Sequence, residues 1–139
     1  MPPPSDDASL RAALTSLLAL DVRRLALYRQ ALTHRSLLRE RPSTDTPSYE
    51  RLEFLGDALL DLVVSEGLME AFPDADEGFL SKLRAKLVSG AALARCARRL
   101  GLGEHLRVGD NARRAGVHHA DSVLADAFEA ICAAVYLDH

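Results

Sequence analysis

The sequence has few of the residues that secreted or membrane-spanning proteins need. Its 139 residues include two cysteines and no tryptophan, and aromatic residues make up 5% of the total. Two cysteines are too few to brace a secreted scaffold or to build a thiolate metal site, so we interpret Cys96 and Cys132 as reduced packing residues. No run of about 18 apolar residues is available to cross a bilayer, and the N-terminus lacks the basic start of a secretory signal. We therefore expect a cytoplasmic protein without a membrane partner.

β-Branched residues are also scarce, which favours helices over strands. Leucine and alanine together supply 47 residues, whereas valine and isoleucine supply 9. This composition predicts an all-α fold, and the length suits one domain with a single core. Residues 1–8 are rich in proline and acidic residues and have little to bury, so we expect a disordered tail there and one helical domain over residues 9–139.

Apolar periodicity and turn-forming residues place the helices along this domain. They predict an exposed loop from Pro42 to Pro47 and a basic loop over residues 107–118. We expect Ser48 to cap the third helix, and Asp121 or Ser122 to cap the last one. The predicted helices cover residues 9–20, 24–38, 49–72, 79–87, 91–100 and 120–137.

Charge is distributed unevenly along the chain. Residues 82–114 contain nine basic and two acidic residues, a local charge of +7, so the rest of the chain carries −10 to reach the total of −3. A molecule with separate acidic and basic parts suits a polyanionic partner bound beside metal ions.

One face of the predicted 49–72 helix carries only carboxylates. At 100° per residue, four of them fall within a stripe about 80° wide. The opposite face carries the apolar residues expected to contact the core, namely Leu52, Leu55, Leu59, Leu62 and Val63. The carboxylates are Glu50, Glu53, Asp57 and Asp61.

The last predicted helix carries two more carboxylates in an apolar context. Asp126 and Glu129 are three residues apart and so share a face. If this face meets the acidic stripe, the carboxylates form an all-oxygen cluster that repels itself until a hard divalent cation such as Mg²⁺ neutralises it. The alternative is that both sets are solvated helix surface on a structural bundle.

Four sequence blocks carry a family resemblance. Residues 50–58, Glu-Arg-Leu-Glu-Phe-Leu-Gly-Asp-Ala, resemble the signature of ribonuclease III endonuclease domains. The blocks at residues 31–36, 80–89 and 124–130 resemble other parts of that domain and occur in the family's order. The resemblance covers roughly residues 9–138 and implies a homodimeric, all-α endonuclease domain.

The resemblance also implies a reaction and a set of site residues. Glu53, Asp57, Asp126 and Glu129 are expected to be the catalytic residues that hold Mg²⁺, for which Mn²⁺ can substitute, without an organic cofactor. The implied reaction is hydrolysis of double-stranded RNA in rRNA or mRNA maturation, leaving 5′-phosphate and 3′-hydroxyl ends. Glu50 is expected to contact RNA or metal-bound water.

Further residues are expected to serve the dimer and the RNA. An aromatic such as Phe54 on the edge of the acidic stripe gains little in a monomer, which suggests a contact, and the resemblance implies that this contact is a dimer interface, at which Gly56 would permit close helix approach. The basic residues assigned to RNA binding are Lys82, Arg84, Lys86, Arg113 and Arg114. His34 is expected to be a structural hydrogen-bonding residue.

Two rival functions remain at this point. Typical bacterial members of the family continue into a double-stranded-RNA-binding domain, and this sequence stops where that linker would begin. A catalytically silent ribonuclease-III-like RNA-binding or scaffold module is the first alternative. However, a pure binder has no physical need for a self-repelling carboxylate cluster. The second alternative is the structural bundle with a solvated acidic face.

Overall fold

The computed structural model describes residues 6–139, and within them the fold is helical. Its helices are α1 (Asp7–Leu18), α2 (Leu25–Ala31), α3 (Arg35–Glu40), α4 (Glu50–Ala71), α5 (Glu77–Leu87), α6 (Gly90–Leu100), α7 (Asp110–Arg114) and α8 (Asp121–Asp138), with short 3₁₀ helices at Leu102–His105 and Val117–His119. Among the described residues the one β-type pairing is an isolated bridge between Thr33 and Arg107. The all-α prediction is confirmed.

The last helix, α8, forms the centre of the bundle. It packs against α4, α6 and α2, and it is buried on most sides, with Leu124, Ala127, Ile131 and Ala134 all in the core. Its many alanines have short side chains, so neighbouring helix backbones approach it closely. None of the helices between residues 6 and 139 is long and apolar enough to cross a membrane.

The C-terminal end of α8 is fixed by a buried carboxylate. Asp138 accepts hydrogen bonds from the backbone N–H of Arg23 at 2.9 Å and of Arg24 at 2.7 Å, and from the Tyr28 hydroxyl at 2.8 Å. The residues just before α2 therefore obtain their hydrogen-bond acceptor from the far end of the chain. This contact locks α8 against α2.

The first two predicted helices, 9–20 and 24–38, have different boundaries in the structure. The first helix begins at Asp7, because the Asp6 carboxylate accepts from the Ser9 N–H at 2.8 Å. Residues 1–5 of the expected tail lie outside the described residues.

The predicted 24–38 helix is interrupted after Ala31, and the His34 ring caps α3 by accepting from the Ser36 N–H at 3.1 Å. The structural role expected for His34 is thus confirmed.

The predicted caps of α4 and α8 are wrong. Tyr49 precedes α4, and Ala120 precedes α8, and neither provides a side-chain cap. The Tyr49 N–H instead donates to the Thr33 carbonyl at 3.0 Å, which ties the start of α4 to the segment between α2 and α3.

The predicted basic loop contains a helix that is capped from elsewhere in the chain. The Glu40 carboxylate accepts from the Asn111 N–H at 2.9 Å and from the Ala112 N–H at 3.3 Å, so α3 caps α7. An added Cβ on Gly109 would lie 2.0 Å from that carboxylate, so a larger residue there would displace Glu40 from its capping position.

Three apolar or small residues are more exposed than predicted. Leu62 and Val63 are 57% and 56% exposed. Helix α5 packs on the face of α4 that carries Leu68 and does not cover the face that carries these two residues. Cys96 is exposed on the solvent face of α6, so its interpretation as a packing residue is wrong, whereas Cys132 is half-buried.

Candidate metal centre

A glycine allows α4 and α8 to pack closely where their carboxylates face each other. Gly56 is buried, and its Cα lies directly against the backbone carbonyl of Glu129. Glu53 and Asp57 lie on either side of this glycine along α4, and Asp126 precedes Glu129 by nearly one turn of α8. The close approach therefore brings both pairs of acidic residues to one place.

Three of these side chains form a compact carboxylate cluster. Glu53, Asp126 and Glu129 each offer one oxygen, and the three oxygens lie within 4.8 Å of one another. Glu129 is buried, and the other two are half-buried. Oxygen ligands at this separation are the donor set that a hard cation such as Mg²⁺ or Mn²⁺ prefers.

Burial, and to a lesser extent neighbouring negative charges, raises the pKa values of these carboxyl groups. Burial, followed by the charge of Asp126, raises the pKa of Glu53 to about 7. Burial, followed by a hydrogen bond to Asp57 and that residue's charge, raises the pKa of Glu129 to about 8. Burial also raises the pKa of Asp126. Since a bound cation would favour the ionised forms, these residues fit a divalent metal ion.

The fourth predicted ligand lies at the edge of the cluster. Asp57 is exposed, and it lies close enough to Glu129 for its hydrogen bonding and charge to contribute to the raised pKa of Glu129. All four predicted ligands are therefore neighbours, with Asp57 on the solvent side.

The remaining acidic residues of α4 lie outside this group. The negative charge of Glu50 contributes to the raised pKa values of Glu53 and Asp126, so it lies close to the cluster. Asp61 is one turn beyond Asp57 and is not among the grouped ligands.

Two residues near the cluster were not predicted as site residues. Tyr49 is 4% exposed, and burial with the charges of Asp126 and Glu53 raises the pKa of its hydroxyl. The Arg35 charge acts in the opposite direction on the pKa of Asp126. The Tyr49 N–H donates to the Thr33 carbonyl, and this bond brings the segment that contains Arg35 next to the start of α4. Helical periodicity does not reveal such a contact between separate segments.

The two residues assigned to a dimer interface occupy different environments. Phe54 is 82% exposed and lines a shallow depression with Glu50 and Arg51. Gly56, in contrast, is enclosed by Glu129 of the same chain. Packing within the chain therefore accounts for the glycine, and its assignment to a dimer interface stays a prediction.

The basic residues assigned to RNA lie on α5 and α7, which supply no carboxylate of the cluster. Lys82 and Lys86 are exposed. The Arg84 guanidinium donates to the Ser65 hydroxyl at 3.0 Å, and that of Arg113 donates to the Leu106 carbonyl at 2.8 Å. Arg114 hydrogen-bonds Asn111. Arg84 and Arg113 thus also hold neighbouring segments in place.

A helical domain whose two longest helices bring four carboxylates together defines a candidate centre for divalent cations and phosphate chemistry. The model of the family described as ribonuclease-III-like matches residues 25–139. The chain therefore belongs to the ribonuclease-III-like family.

Similar proteins support this assignment. The chain is 51% identical over 114 residues to Ribonuclease 3 of Chlorobaculum tepidum, covering 81% of this chain and 42% of that protein. It is 47% identical over 131 residues to Ribonuclease 3 of Chlorobium luteolum, covering 94% of this chain and 48% of that protein. Among solved structures, the nuclease domain of ribonuclease III from Campylobacter jejuni has a TM-score of 0.82 at 40% identity, covering 91% of this chain and 84% of that one. The chain thus spans just under half the length of these two curated relatives.

Proposed function

We propose that this chain is the nuclease domain of a Mg²⁺-dependent endoribonuclease that hydrolyses phosphodiester bonds of double-stranded RNA to 5′-phosphate and 3′-hydroxyl ends. The observation that carries the proposal is the cluster of Glu53, Asp126 and Glu129, whose oxygens lie within 4.8 Å of one another. Asp57, whose charge contributes to the raised pKa of Glu129, completes it. The curated relatives bear the name Ribonuclease 3, which supports the same reaction.

In this proposal, Glu53, Asp57, Asp126 and Glu129 hold the metal, which Mn²⁺ can replace. An ion held by these residues would supply a Lewis acid that lowers the pKa of a coordinated water and polarises a phosphoryl oxygen. The chain itself contributes a preorganised carboxylate set, because the Gly56 contact fixes α4 against α8. Protons shared among these carboxyl groups leave when the metal binds, since only the ionised forms are ligands.

The proposed enzyme acts as a homodimer. Phe54 is the most exposed of the large apolar residues described, and it lies one residue from Glu53 on α4. Burial of this ring in a partner copy would remove a large apolar surface from water. The Campylobacter jejuni structure, which matches 91% of this chain, is described as showing flexibility in a region involved in dimer formation, and this supports the same assembly here.

The proposed substrate and setting follow from the same family. A-form RNA is recognised largely through phosphates and 2′-hydroxyls rather than through base edges. Exposed Lys82 and Lys86, together with Glu50, Arg84, Arg113 and Arg114, are the residues we assign to such contacts. The proposed role is maturation of rRNA and mRNA in the cytoplasm.

Cleavage of a long uniform RNA duplex tests the proposal. The purified chain is incubated in low salt with Mg²⁺ or with EDTA, beside an Asp126→Asn, Glu129→Gln double variant. We expect metal-dependent cutting to short duplexes with 5′-phosphates in the wild type and none in the double variant. Asp61→Asn, which removes a charge from α4 outside the cluster, is the matched control and should cut normally.

A folded wild-type dimer that binds Mg²⁺ and RNA yet never cuts would contradict the proposal. That result would favour the catalytically silent RNA-binding module instead.

A further inference from the structure

Arg107 forms the Thr33–Arg107 bridge outside the carboxylate cluster, and Arg29 and Arg41, from two other segments, lie close enough for their charges to act on it. The backbone of Arg107 is held firmly there: its N–H donates to the Leu32 carbonyl at 2.7 Å, and its carbonyl accepts from the His34 N–H at 2.9 Å. These two bonds fix the point from which the Arg107 side chain extends.

One hydroxyl group connects this side chain to α2. The Arg107 guanidinium donates from Nη1 to Thr33 Oγ1 at 3.2 Å, and the same Thr33 hydroxyl donates to the Arg29 carbonyl at 2.6 Å. Arg41 follows α3, and its Nη2 lies 3.3 Å from Oδ2 of Asp110, three residues after Arg107. The charges of Arg29 and Arg41 act on Arg107, and we call these three residues the arginine cluster.

The charges of the arginine cluster are incompletely balanced. Arg29 pairs with Asp7, and Arg41 pairs with Asp110. Arg107 is half-buried, yet it forms no ion pair with any residue from 6 to 139. Burial and the charges of Arg29 and Arg41 lower its pKa. A half-buried guanidinium beside two like charges is unfavourable unless an anion offsets them.

We propose that the arginine cluster binds a phosphate-class oxyanion, with Arg107 as its central donor. A guanidinium has five N–H donors in a planar fork that matches phosphate oxygens, and Arg107 directs one nitrogen, Nη1, to Thr33. Because the backbone bridge and the Thr33 hydroxyl already hold Arg107 in place, little of its freedom remains to be lost on binding.

This anion site is linked to the metal centre through a short segment. Thr33 binds Arg107 through its hydroxyl and binds the Tyr49 N–H through its carbonyl. Two residues later, the charge of Arg35 acts on Asp126. In this proposal, a phosphate on the arginine cluster belongs to an RNA strand and is held beyond the bond that is cut. The RNA source of the phosphate rests on the proposed function, whereas free inorganic phosphate as the ligand does not.

Titration with inorganic phosphate at constant ionic strength tests the site by itself, using backbone amide resonances in NMR spectra. We expect saturable shifts at Thr33, His34 and Arg107 that disappear in Arg107→Met. Arg99→Met, which removes an exposed arginine from α6, should retain them. Arg41→Gln changes an exposed side chain that is not needed for folding, and it should weaken phosphate binding about two- to fivefold.

Absence of saturable shifts in the wild type would overturn the proposal, as would identical titrations of wild type and Arg107→Met. If Arg107→Met does not fold, Arg41→Gln decides: phosphate affinity equal to that of the wild type overturns the site.

Binding of an RNA duplex in EDTA then identifies the source of the phosphate. If it is the RNA backbone, Arg107→Met should weaken binding and reduce the slope of log affinity against log salt by about one. Unchanged RNA binding beside lost phosphate binding assigns the site to free phosphate. Neither assay involves cleavage. A chain that binds phosphate but never cuts RNA would support this site and contradict the proposed function. A chain that cuts RNA but binds no phosphate would overturn this site alone.

Discussion

Gly56 lies against Glu129 so closely that the packing leaves no room for a side chain. A Cβ atom on Gly56 would be 1.8 Å from the backbone oxygen of Glu129 and 2.5 Å from its carbonyl carbon. Both obstructing atoms belong to the backbone of a central helix, which cannot rotate away as a side chain can. The separation of α4 and α8, and with it the spacing of the carboxylates, depends on this glycine.

Gly56→Ala should therefore lower stability and weaken metal binding together. Overpacking of a well-filled interior costs about 1–3 kcal/mol, and sometimes more. Separation of the helices would also move Glu53 away from Glu129. We expect a lower melting temperature in thermal unfolding and a smaller increase on addition of Mn²⁺ or Mg²⁺.

Gly67→Ala is the matched control on the same helix. An added Cβ at this exposed position meets no atom within 4 Å, and alanine is favoured over glycine in a helix interior by about 0.5–1 kcal/mol. The melting temperature of Gly67→Ala should rise. Equal losses in the two variants would refute the packing argument.

The stability of the metal-free chain should fall as the pH rises. Glu53 and Glu129 have folded-state pKa values of about 7 and about 8, above the ordinary value of 4.5 for a glutamate. A carboxyl group with a raised folded-state pKa stabilises the fold fully below its ordinary pKa, and that stabilisation is lost as the pH rises through the raised values. The loss should therefore occur between about pH 5 and pH 9.

Thermal unfolding with EDTA and with Mg²⁺ across this pH interval tests the prediction. The ionised carboxylates are the metal ligands, so the increase in melting temperature on adding Mg²⁺ should grow as the pH rises. A metal-induced increase that is the same at pH 6 and pH 9 would show that these carboxyl groups do not bind the ion.

Helical periodicity predicted that the carboxylates of each helix share a face, and the family resemblance selected these four among the acidic residues. Glu53 and Asp57 share a face at a spacing of four, and Asp126 and Glu129 share one at a spacing of three. Each pair follows from the geometry of one helix. Periodicity alone did not show that the two faces meet. That contact depends on the fit between Gly56 and the Glu129 backbone, which lie far apart in the chain.

The features that the sequence did not predict depend on contacts between distant segments. Glu40 caps α7 from about 70 residues away, and local turn signals in residues 107–118 gave no sign of it. Similarly, the break between α2 and α3 lies where Thr33 contacts Tyr49 and Arg107, although the residues there have good helical periodicity. The exposure of Leu62 follows from which face α5 covers, which a single helix does not determine.

Replacement of Phe54 should dissociate the proposed dimer without unfolding the chain. The ring is 82% exposed in the single chain, so its removal leaves no cavity in the core. A central aromatic at an interface often contributes about 2 kcal/mol or more, which corresponds to a roughly 30-fold weaker dimer for Phe54→Ala. Sedimentation over a range of concentrations measures this change.

Phe54→Leu serves as the conservative control for that measurement. It keeps much of the apolar surface and should retain most of the dimer affinity. A dimer of unchanged affinity in Phe54→Ala would place the interface elsewhere on the chain.

Glu129→Gln should separate the repulsion within the cluster from its use in metal binding. Glutamine keeps nearly the same shape but cannot ionise. The variant therefore lacks the ionised form of Glu129, which burial and the neighbouring Asp57 make unfavourable. In EDTA at about pH 9, the variant should therefore be at least as stable as the wild type. With Mg²⁺ the order of stability should reverse, since the variant has lost a proposed ligand, and RNA cleavage should fall by about 100-fold or more.

Asp61→Asn removes a carboxylate one turn beyond Asp57 and should differ little from wild type in either assay. If Glu129→Gln kept the full metal-induced rise in melting temperature, Glu129 would not be a ligand and the centre would have to be built from Glu53, Asp57 and Asp126.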